Sequence, residues 1–101
     1  MNEELNVYAI DDNEDELRSL KSLLTQRAVK SFTFTSADSF LTQVSTDEPG
    51  CLILNIQLPE KAGLELQRRL KAEESPLSVV AITGLADVPT VVRVMERGAV
   101  T

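Results

Sequence analysis

Residues 51–59 read CLILNIQLP, an apolar run that meets a polar residue at Asn55 and then enters a loop containing Pro59. The turn signal EPG at residues 48–50 precedes this run. A continuous apolar run bounded by turn residues is typical of a strand that is buried on both faces of a sheet. We therefore predict a central strand over residues 51–56.

Two other apolar runs end in polar residues in the same way. Asp11 and Asp12 follow VYAI at residues 7–10, and Thr83 follows VVAI at residues 79–82. In an open parallel sheet the carboxyl ends of neighbouring strands lie side by side, so residues far apart in sequence converge in one crevice. The three strand ends therefore predict a single site at that edge of the sheet.

The first strand is followed by a helical pattern. Asn13 can cap this helix, and Glu16 stands three residues later in the spacing of a capping box. Leucines recur at i, i+3 and i+7, which predicts the face that packs on the core: Leu17, Leu20 and Leu24. We therefore predict an amphipathic helix directly after the acidic pair.

Residues 31–35 alternate between polar and apolar side chains, which favours a half-buried strand at an edge of the sheet. Phe32 and Phe34 share its apolar face, so both are expected in the core. Ser36 can then cap a second helix.

The second half of the chain continues the alternation of strands and helices. A third helix is predicted from Leu64 to about Glu73, and Pro89 and Gly98 mark the start and end of a fourth. The order βαβαβαβα, without repeats or a linker, predicts parallel strands joined by right-handed crossovers. We therefore expect one α/β domain, a doubly wound parallel sheet, over residues 1–101.

The composition excludes several classes of function. A net charge of −6, from 16 acidic and 10 basic residues, disfavours direct binding of nucleic acid. Histidine is absent, which removes Ser/His/Asp and Cys/His catalysis and imidazole zinc sites. Cys51, the single cysteine, lies in an apolar run and is predicted to be a small buried hydrophobic residue. No stretch approaches the roughly 18 apolar residues of a membrane span, and residues 1–4 lack the basic start of a signal peptide. We therefore expect a cytoplasmic protein without membrane contact.

The predicted site suits magnesium-assisted transfer of a phosphoryl group to an aspartate. Mg²⁺ prefers oxygen ligands and usually keeps water and phosphate oxygens beside one or two protein carboxylates. Asp12 would bind the ion directly, Asp11 would bind it through water, and Asn55 and the backbone carbonyl of Gln57 would supply further oxygens. The nucleophile would be a carboxylate at position 55, and Thr83 would donate a hydrogen bond to the phosphoryl group. Asn55 is an amide and lacks that nucleophile.

Simpler roles exist for the same residues. Asp11 and Asp12 could be turn residues before a helix, and Thr83 could merely end its strand. The coincidence of three polar strand ends favours a shared site over three separate turns.

The whole pattern resembles a known family. Four stretches together resemble the receiver domain of bacterial two-component response regulators: residues 7–12, 51–59 with Gly63, 81–84 and 97–99. Residues 63–67, GLELQ, are most similar to the FixJ-type branch, whose receivers usually precede a helix-turn-helix DNA-binding domain. The resemblance implies a flavodoxin-like fold with strand order 2-1-3-4-5. It also implies a sensor histidine kinase as partner and a C-terminal DNA-binding output domain that is not in this chain.

Two departures from the family pattern alter the expected function. Asn55 occupies the position of the phosphoacceptor aspartate, and the chain ends at Thr101, before the fifth strand with its active-site lysine and before the fifth helix. Lys61 and Lys71 match no family position. We therefore expect strand order 2-1-3-4, weak or absent Mg²⁺ binding, no enzymatic activity, and signalling through conformation or partner contact.

Two alternatives stay open. The protein could be a Mg²⁺-dependent phosphoacceptor whose native aspartate was replaced by Asn55, and the sequence does not separate a natural from an engineered change. It could instead be an interaction scaffold with a vestigial pocket, which a test of Mg²⁺ binding would distinguish. Without a fifth strand and helix, residues 79–82 would form an apolar sheet edge and one sheet face would be uncovered, so we also expect self-association.

Overall fold

The computed structural model describes residues 6–83, which form a parallel sheet with helices on both faces. The elements are β1 Val7–Ile10, α1 Glu14–Gln26, β2 Ser31–Phe34, α2 Ala37–Gln43, β3 Gly50–Asn55, a 3-10 turn Pro59–Lys61, α3 Ala62–Ala72 and β4 Leu77–Ile82. The predicted fourth helix between Pro89 and Gly98, together with Gly84 and residues 97–99, lies outside the described residues.

The strands are all parallel and lie in the order β2-β1-β3-β4, as the sequence predicted. Every residue of β3 is buried, because β1 and β4 pair with its two edges and helices cover its two faces. This strand ends at Asn55, so Ile56, predicted as its last residue, belongs to the loop. Within residues 6–83, β4 pairs with β3 alone; the chain that follows Thr83 lies outside the described residues.

Two hydrophobic cores lie on opposite faces of the sheet, as expected of a doubly wound fold. The core under α1 contains Val7, Ala9, Leu17, Leu20, Leu24, Cys51, Ile53 and Ile82. The core under α2 and α3 contains Ile10, Phe34, Phe40, Leu52, Leu54, Leu58, Leu66, Leu70 and Leu77. Cys51 is fully buried, and this burial raises the pKa of its thiol to about 11.

Phe32 is an exception to the predicted core. Its side chain is 38% exposed, because it lies on edge strand β2, where the seven-residue helix α2 buries Phe40 and leaves the start of the strand open. The ring stacks on Tyr8 with centroids 5.9 Å apart, and the Lys30 ammonium lies 5.5 Å from its centre. Phe34 is buried as predicted and packs edge-to-face on Phe40 at 5.5 Å.

Helices α1 and α3 both end in a Schellman motif without glycine. After α1, the N–H groups of Ala28 and Val29 donate to the carbonyls of Thr25 and Leu24, both at 2.9 Å, and Ala28 has a φ of 60°. This left-handed conformation favours glycine, because a Cβ crowds the following carbonyl oxygen.

The end of α3 repeats the arrangement. Glu74 donates to the Lys71 carbonyl at 3.1 Å, Ser75 donates to the Leu70 carbonyl at 2.9 Å, and Glu74 has a φ of 54°.

Among the helices of residues 6–83, none has the length and apolar character needed to cross a membrane.

Candidate functional site

The predicted site residues gather at one edge of the sheet, where β1, β3 and β4 end. Ile10 of β1 pairs with Leu54 of β3, so the next residues, Asp11 and Asn55, occupy adjacent positions. Asn55 in turn pairs with Ile82, the residue before Thr83. Asp11 is 4% exposed and Asn55 is 5% exposed, while the Asp12 side chain is open to solvent. At this edge of the sheet, which we call the crevice, Asp11 and Asn55 are therefore buried side by side, and Asp12 is exposed next to them.

Asn55 is held by the loop that it begins. Its side-chain oxygen accepts a hydrogen bond from the backbone N–H of Gln57 at 2.8 Å. Gly63, at the start of α3, allows the helix to approach this point closely. A Cβ at position 63 would lie 3.2 Å from the Asn55 carbonyl oxygen and 3.3 Å from the Cα of Ile56. The small residue therefore allows α3 to pack against the end of β3.

The loop after β3 combines a buried anchor with an unusual backbone. Leu58 is 6% exposed and packs in the core under α2 and α3. Glu60 and Lys61 follow with φ values of 59° and 61°, which are left-handed conformations at two consecutive residues that are not glycine. Non-glycine residues in this region cost free energy and cluster at functional loops.

Asp11 is fixed by hydrogen bonds on both its backbone and its side chain. Its N–H donates to the Phe34 carbonyl at 3.1 Å, and its Oδ1 accepts from the N–H of Asn13 at 3.0 Å. Asn13 caps α1 as predicted, because its side-chain oxygen accepts from the Glu16 N–H at 3.1 Å.

Glu16 belongs to the site, although the sequence predicted only a role in helix capping. The reciprocal bond of a capping box would join its carboxyl to the N–H of Asn13, but that N–H already donates to Asp11. The Glu16 carboxyl instead contacts Asp11. This hydrogen bond, partial burial and the charges of Asp11 and Asp12 raise the pKa of Glu16 from its ordinary value of 4.5 to about 7. The sequence signal was a glutamate one helical turn beyond the acidic pair.

The donor set suits a hard divalent cation. Two carboxylates, an amide oxygen and backbone carbonyls at one crevice are the kinds of ligand that Mg²⁺ accepts alongside water. Within residues 6–83, no three side chains of the His, Cys, Asp and Glu types come close enough to hold a metal ion by themselves. An ion bound here would therefore depend on amide or backbone oxygens and on water. Asp11, Asp12, Asn55 and the backbone carbonyl of Gln57 are the residues that would hold it.

Comparison with known proteins identifies the family to which this chain belongs. Residues 7–101 match the family model of the response regulator receiver domain. The chain belongs to the response regulator receiver family. This receiver is 36% identical over 94 residues to the response regulator protein TodT of Pseudomonas putida, covering 93% of this chain and 41% of TodT. It is 35% identical over 94 residues to the transcriptional regulatory protein FixJ of Bradyrhizobium diazoefficiens, covering 93% of this chain and 46% of FixJ. The receiver thus spans less than half the length of these two relatives.

Solved structures confirm the flavodoxin-like receiver fold and the resemblance to FixJ. Full-length FixJ from B. japonicum matches the receiver with a TM-score of 0.67 and 32% identity, covering 94% of this chain and 47% of that chain. A response regulator receiver protein from Burkholderia phymatum matches with a TM-score of 0.66 and 30% identity, covering 93% and 77%. Receiver domains are generally signalling domains without enzymatic activity, and they generally bind Mg²⁺ at the phosphorylation site.

Proposed function

We propose that this receiver signals through its conformation or through partner contacts, without being phosphorylated at the family's acceptor position. The observation that carries the proposal is the side chain at the end of β3. Asn55 is buried there, and its amide oxygen is engaged by the Gln57 N–H. An amide has no carboxylate oxygen that could attack phosphorus and form an acyl phosphate.

The test is exposure of the protein to acetyl phosphate and Mg²⁺, with intact mass as the readout. We expect no gain of mass in the protein with Asn55. The Asn55→Asp variant is the matched comparison, because it restores a carboxylate with almost no change in shape. A stable, Mg²⁺-dependent gain of one phosphoryl group on Asn55 would refute the proposal.

A second candidate is a Mg²⁺-dependent phosphoacceptor whose native aspartate was replaced by Asn55. The rest of the crevice supports it, since Asp11 is buried and oriented by the N–H of Asn13, and Asp12 stands beside it. Under this candidate, Asn55→Asp gains a phosphoryl group and the conformation changes with it. A third candidate, a scaffold with a vestigial pocket, requires that Mg²⁺ does not bind to either form.

The relatives suggest the setting of this function. TodT is named a response regulator and FixJ a transcriptional regulatory protein, and both are longer than this chain. We infer a cytoplasmic receiver that pairs with a sensor histidine kinase and works beside a DNA-binding output domain. The net charge of −6 supports the absence of direct contact between this receiver and nucleic acid. A mobility-shift titration of the isolated chain with duplex DNA at physiological salt tests that point, and a shifted band would contradict it.

A further inference from the structure

The aromatic side chains of this protein, one tyrosine and three phenylalanines, form a single cluster on the α2 face of the sheet. Tyr8 lies at its centre, with its ring 5.9 Å from that of Phe32 and 5.6 Å from that of Phe40. Phe40 is fully buried and anchors the cluster in the core, whereas Phe32 is 38% exposed. The cluster therefore extends from the core to the surface.

The exposed part of the cluster lines an open cleft of about 270 Å³, which we call the aromatic cleft. Its lining includes Asn6, Tyr8, Phe32, Phe34, Gln43 and Glu48. The cleft lies where β1 and β2 begin and α2 ends. Because the strands are parallel, this is the edge of the sheet opposite to the crevice. The aromatic cleft is therefore a separate site.

The size and walls of the aromatic cleft suit a ligand with one aromatic ring. An apolar cavity of roughly 150 Å³ holds benzene, so the cleft has room for one ring and a short substituent. Aromatic rings gain energy from offset-stacked or edge-to-face contacts with other rings, beyond the burial of their surface. Tyr8, Phe32 and Phe34 offer such contacts.

The charge of the aromatic cleft favours a cation. Within residues 6–83, Glu48 is the only charged residue that lines it, and no lysine or arginine forms an ion pair with this exposed carboxylate. The Lys30 ammonium lies 5.5 Å from the centre of the Phe32 ring, in the range of a cation–π contact. A carboxylate and an aromatic ring that attracts a cation therefore stand at the same cleft.

We propose that the aromatic cleft binds a small organic cation that carries one aromatic ring, an arylalkylammonium ion in chemical terms. The ring of the ligand packs against Tyr8 and Phe32, and its ammonium group lies towards Glu48. The side-chain amide of Asn6 donates to the Tyr8 hydroxyl at 3.2 Å and holds the phenol at the wall of the cleft. This binding goes beyond the proposed function and does not depend on the chemistry at Asn55.

The test is an NMR titration of the ¹⁵N-labelled protein with benzylammonium, benzyl alcohol and benzoate, which carry the same ring and differ in charge. We expect saturable shifts at residues 8, 32 and 43–48 with benzylammonium and a Kd on the order of 1 mM, since so small a ligand makes few contacts. Benzyl alcohol should bind about threefold more weakly, and benzoate should not saturate the site. Tyrosine fluorescence gives a second readout, because Tyr8 is the only tyrosine and tryptophan is absent.

Four variants separate the contributions of charge and ring. Glu48→Gln should weaken benzylammonium binding about threefold and leave benzyl alcohol binding unchanged. Glu65→Gln is the matched control, because it removes the same charge from an exposed glutamate in the first turn of α3, at the opposite edge of the sheet. Phe32→Leu should weaken binding of both ligands, since it removes a ring from the wall. Lys30→Met should tighten benzylammonium binding about twofold, because it removes a competing ammonium from Phe32.

The gain expected of Lys30→Met keeps the test independent of folding, because a damaged fold does not improve binding. The ¹H–¹⁵N spectrum of each variant without ligand also shows whether the fold is kept. Three results would overturn the inference: no saturable shifts at the cleft with benzylammonium, benzoate binding as tight as that of benzylammonium, or equal effects of Glu48→Gln and Glu65→Gln.

Discussion

The side-chain oxygen of Asn55 accepts a hydrogen bond of 2.8 Å from the backbone N–H of Gln57. An aspartate at position 55 would keep this bond through one carboxylate oxygen and present the other oxygen to the crevice. Asn55→Asp should therefore preserve the loop after β3 while adding a negative charge beside Asp11.

We expect Asn55→Asp to bind Mg²⁺ more tightly and to be less stable in the absence of metal. Two like charges 4 Å apart repel each other by about 4 kcal/mol at an effective dielectric of about 20, and solvation offsets most of this energy. We therefore expect the metal-free Asp variant to lose about 1 kcal/mol of stability. Melting in the presence of a chelator and calorimetric titration measure the two effects. Equal Mg²⁺ affinity in both proteins, or a more stable Asp variant, would contradict this prediction.

The raised pKa of Glu16 predicts a specific dependence of stability on pH. The folded-state pKa, about 7, lies above the ordinary value of 4.5, so the folded protein holds this proton more tightly than the unfolded chain. The resulting stability is fully present below the unfolded pKa and is lost as the pH rises through the folded pKa. Without metal, the wild-type Tm should therefore fall relative to that of Glu16→Gln between about pH 5 and pH 7.5. The effect should be small, because solvent screens this half-exposed carboxyl. If the Tm values of the wild type and Glu16→Gln changed in parallel with pH, the folded protein would not hold the Glu16 proton more tightly than the unfolded chain.

The left-handed residues that end α1 and α3 predict stabilising substitutions. Ala28→Gly and Glu74→Gly should each raise the free energy of unfolding by about 1 kcal/mol, because glycine adopts a positive φ without the Cβ clash. Ala72→Gly is the control, since Ala72 lies in the last turn of α3 with helical backbone and should lose stability. Urea denaturation of the three variants measures the differences. A loss of stability in all three would rule out relief of strain at the helix ends.

Ser31 offers a test of polar burial in β2. Within residues 6–83, its buried hydroxyl has no hydrogen-bond partner, although its carbonyl accepts from the Lys21 ammonium at 2.7 Å. Ser31→Ala should raise stability by up to about 1 kcal/mol, because it removes an unsatisfied polar group. Lys21→Met should lower it by about 1 kcal/mol, because the carbonyl loses its donor. Chemical denaturation checks both, and a destabilised Ser31→Ala would point to a water bound at the hydroxyl.

Self-association through β4 stays a prediction. Within residues 6–83, β4 pairs on one edge only, and it carries the half-buried Val79 and Val80 and the exposed Ala81. Light scattering over a concentration series should show an oligomer that Ala81→Lys weakens, because a lysine on an edge strand discourages pairing. Ser22→Lys, on the exposed face of α1, is the control. A protein that stays monomeric at about 100 μM would refute the prediction, because its free energy of association would then be weaker than roughly −5.5 kcal/mol.

Much of the fold can be predicted from the sequence, because a strand that is buried on both faces of a sheet appears as a continuous apolar run. The strand containing Leu52 and Leu54 is a continuous apolar run, and parallel pairing follows from the helices between such runs. The crevice was predictable for the same reason, since Asp11 and Asn55 mark the ends of two such strands.

Other features depend on contacts between residues that a local sequence pattern does not contain. Glu16 has the spacing of a capping-box partner, but Asp11 takes the N–H that it would bind. The sequence around Ala28 has no glycine that would mark its left-handed backbone, although the N–H groups of Ala28 and Val29 close the end of α1 and Val29 packs against the core. The alternating pattern of β2 predicts that Phe32 is buried, but its exposure depends on how much of the strand α2 covers.

The burial of Cys51 makes this protein its own folding reporter. The chain has a single thiol, which is fully inaccessible near the start of the central strand β3, and its raised pKa further suppresses the reactive thiolate. A thiol reagent should therefore label native molecules only when the central strand opens. The labelling rate then measures opening of the sheet in every variant, without an introduced dye, tryptophan or tag.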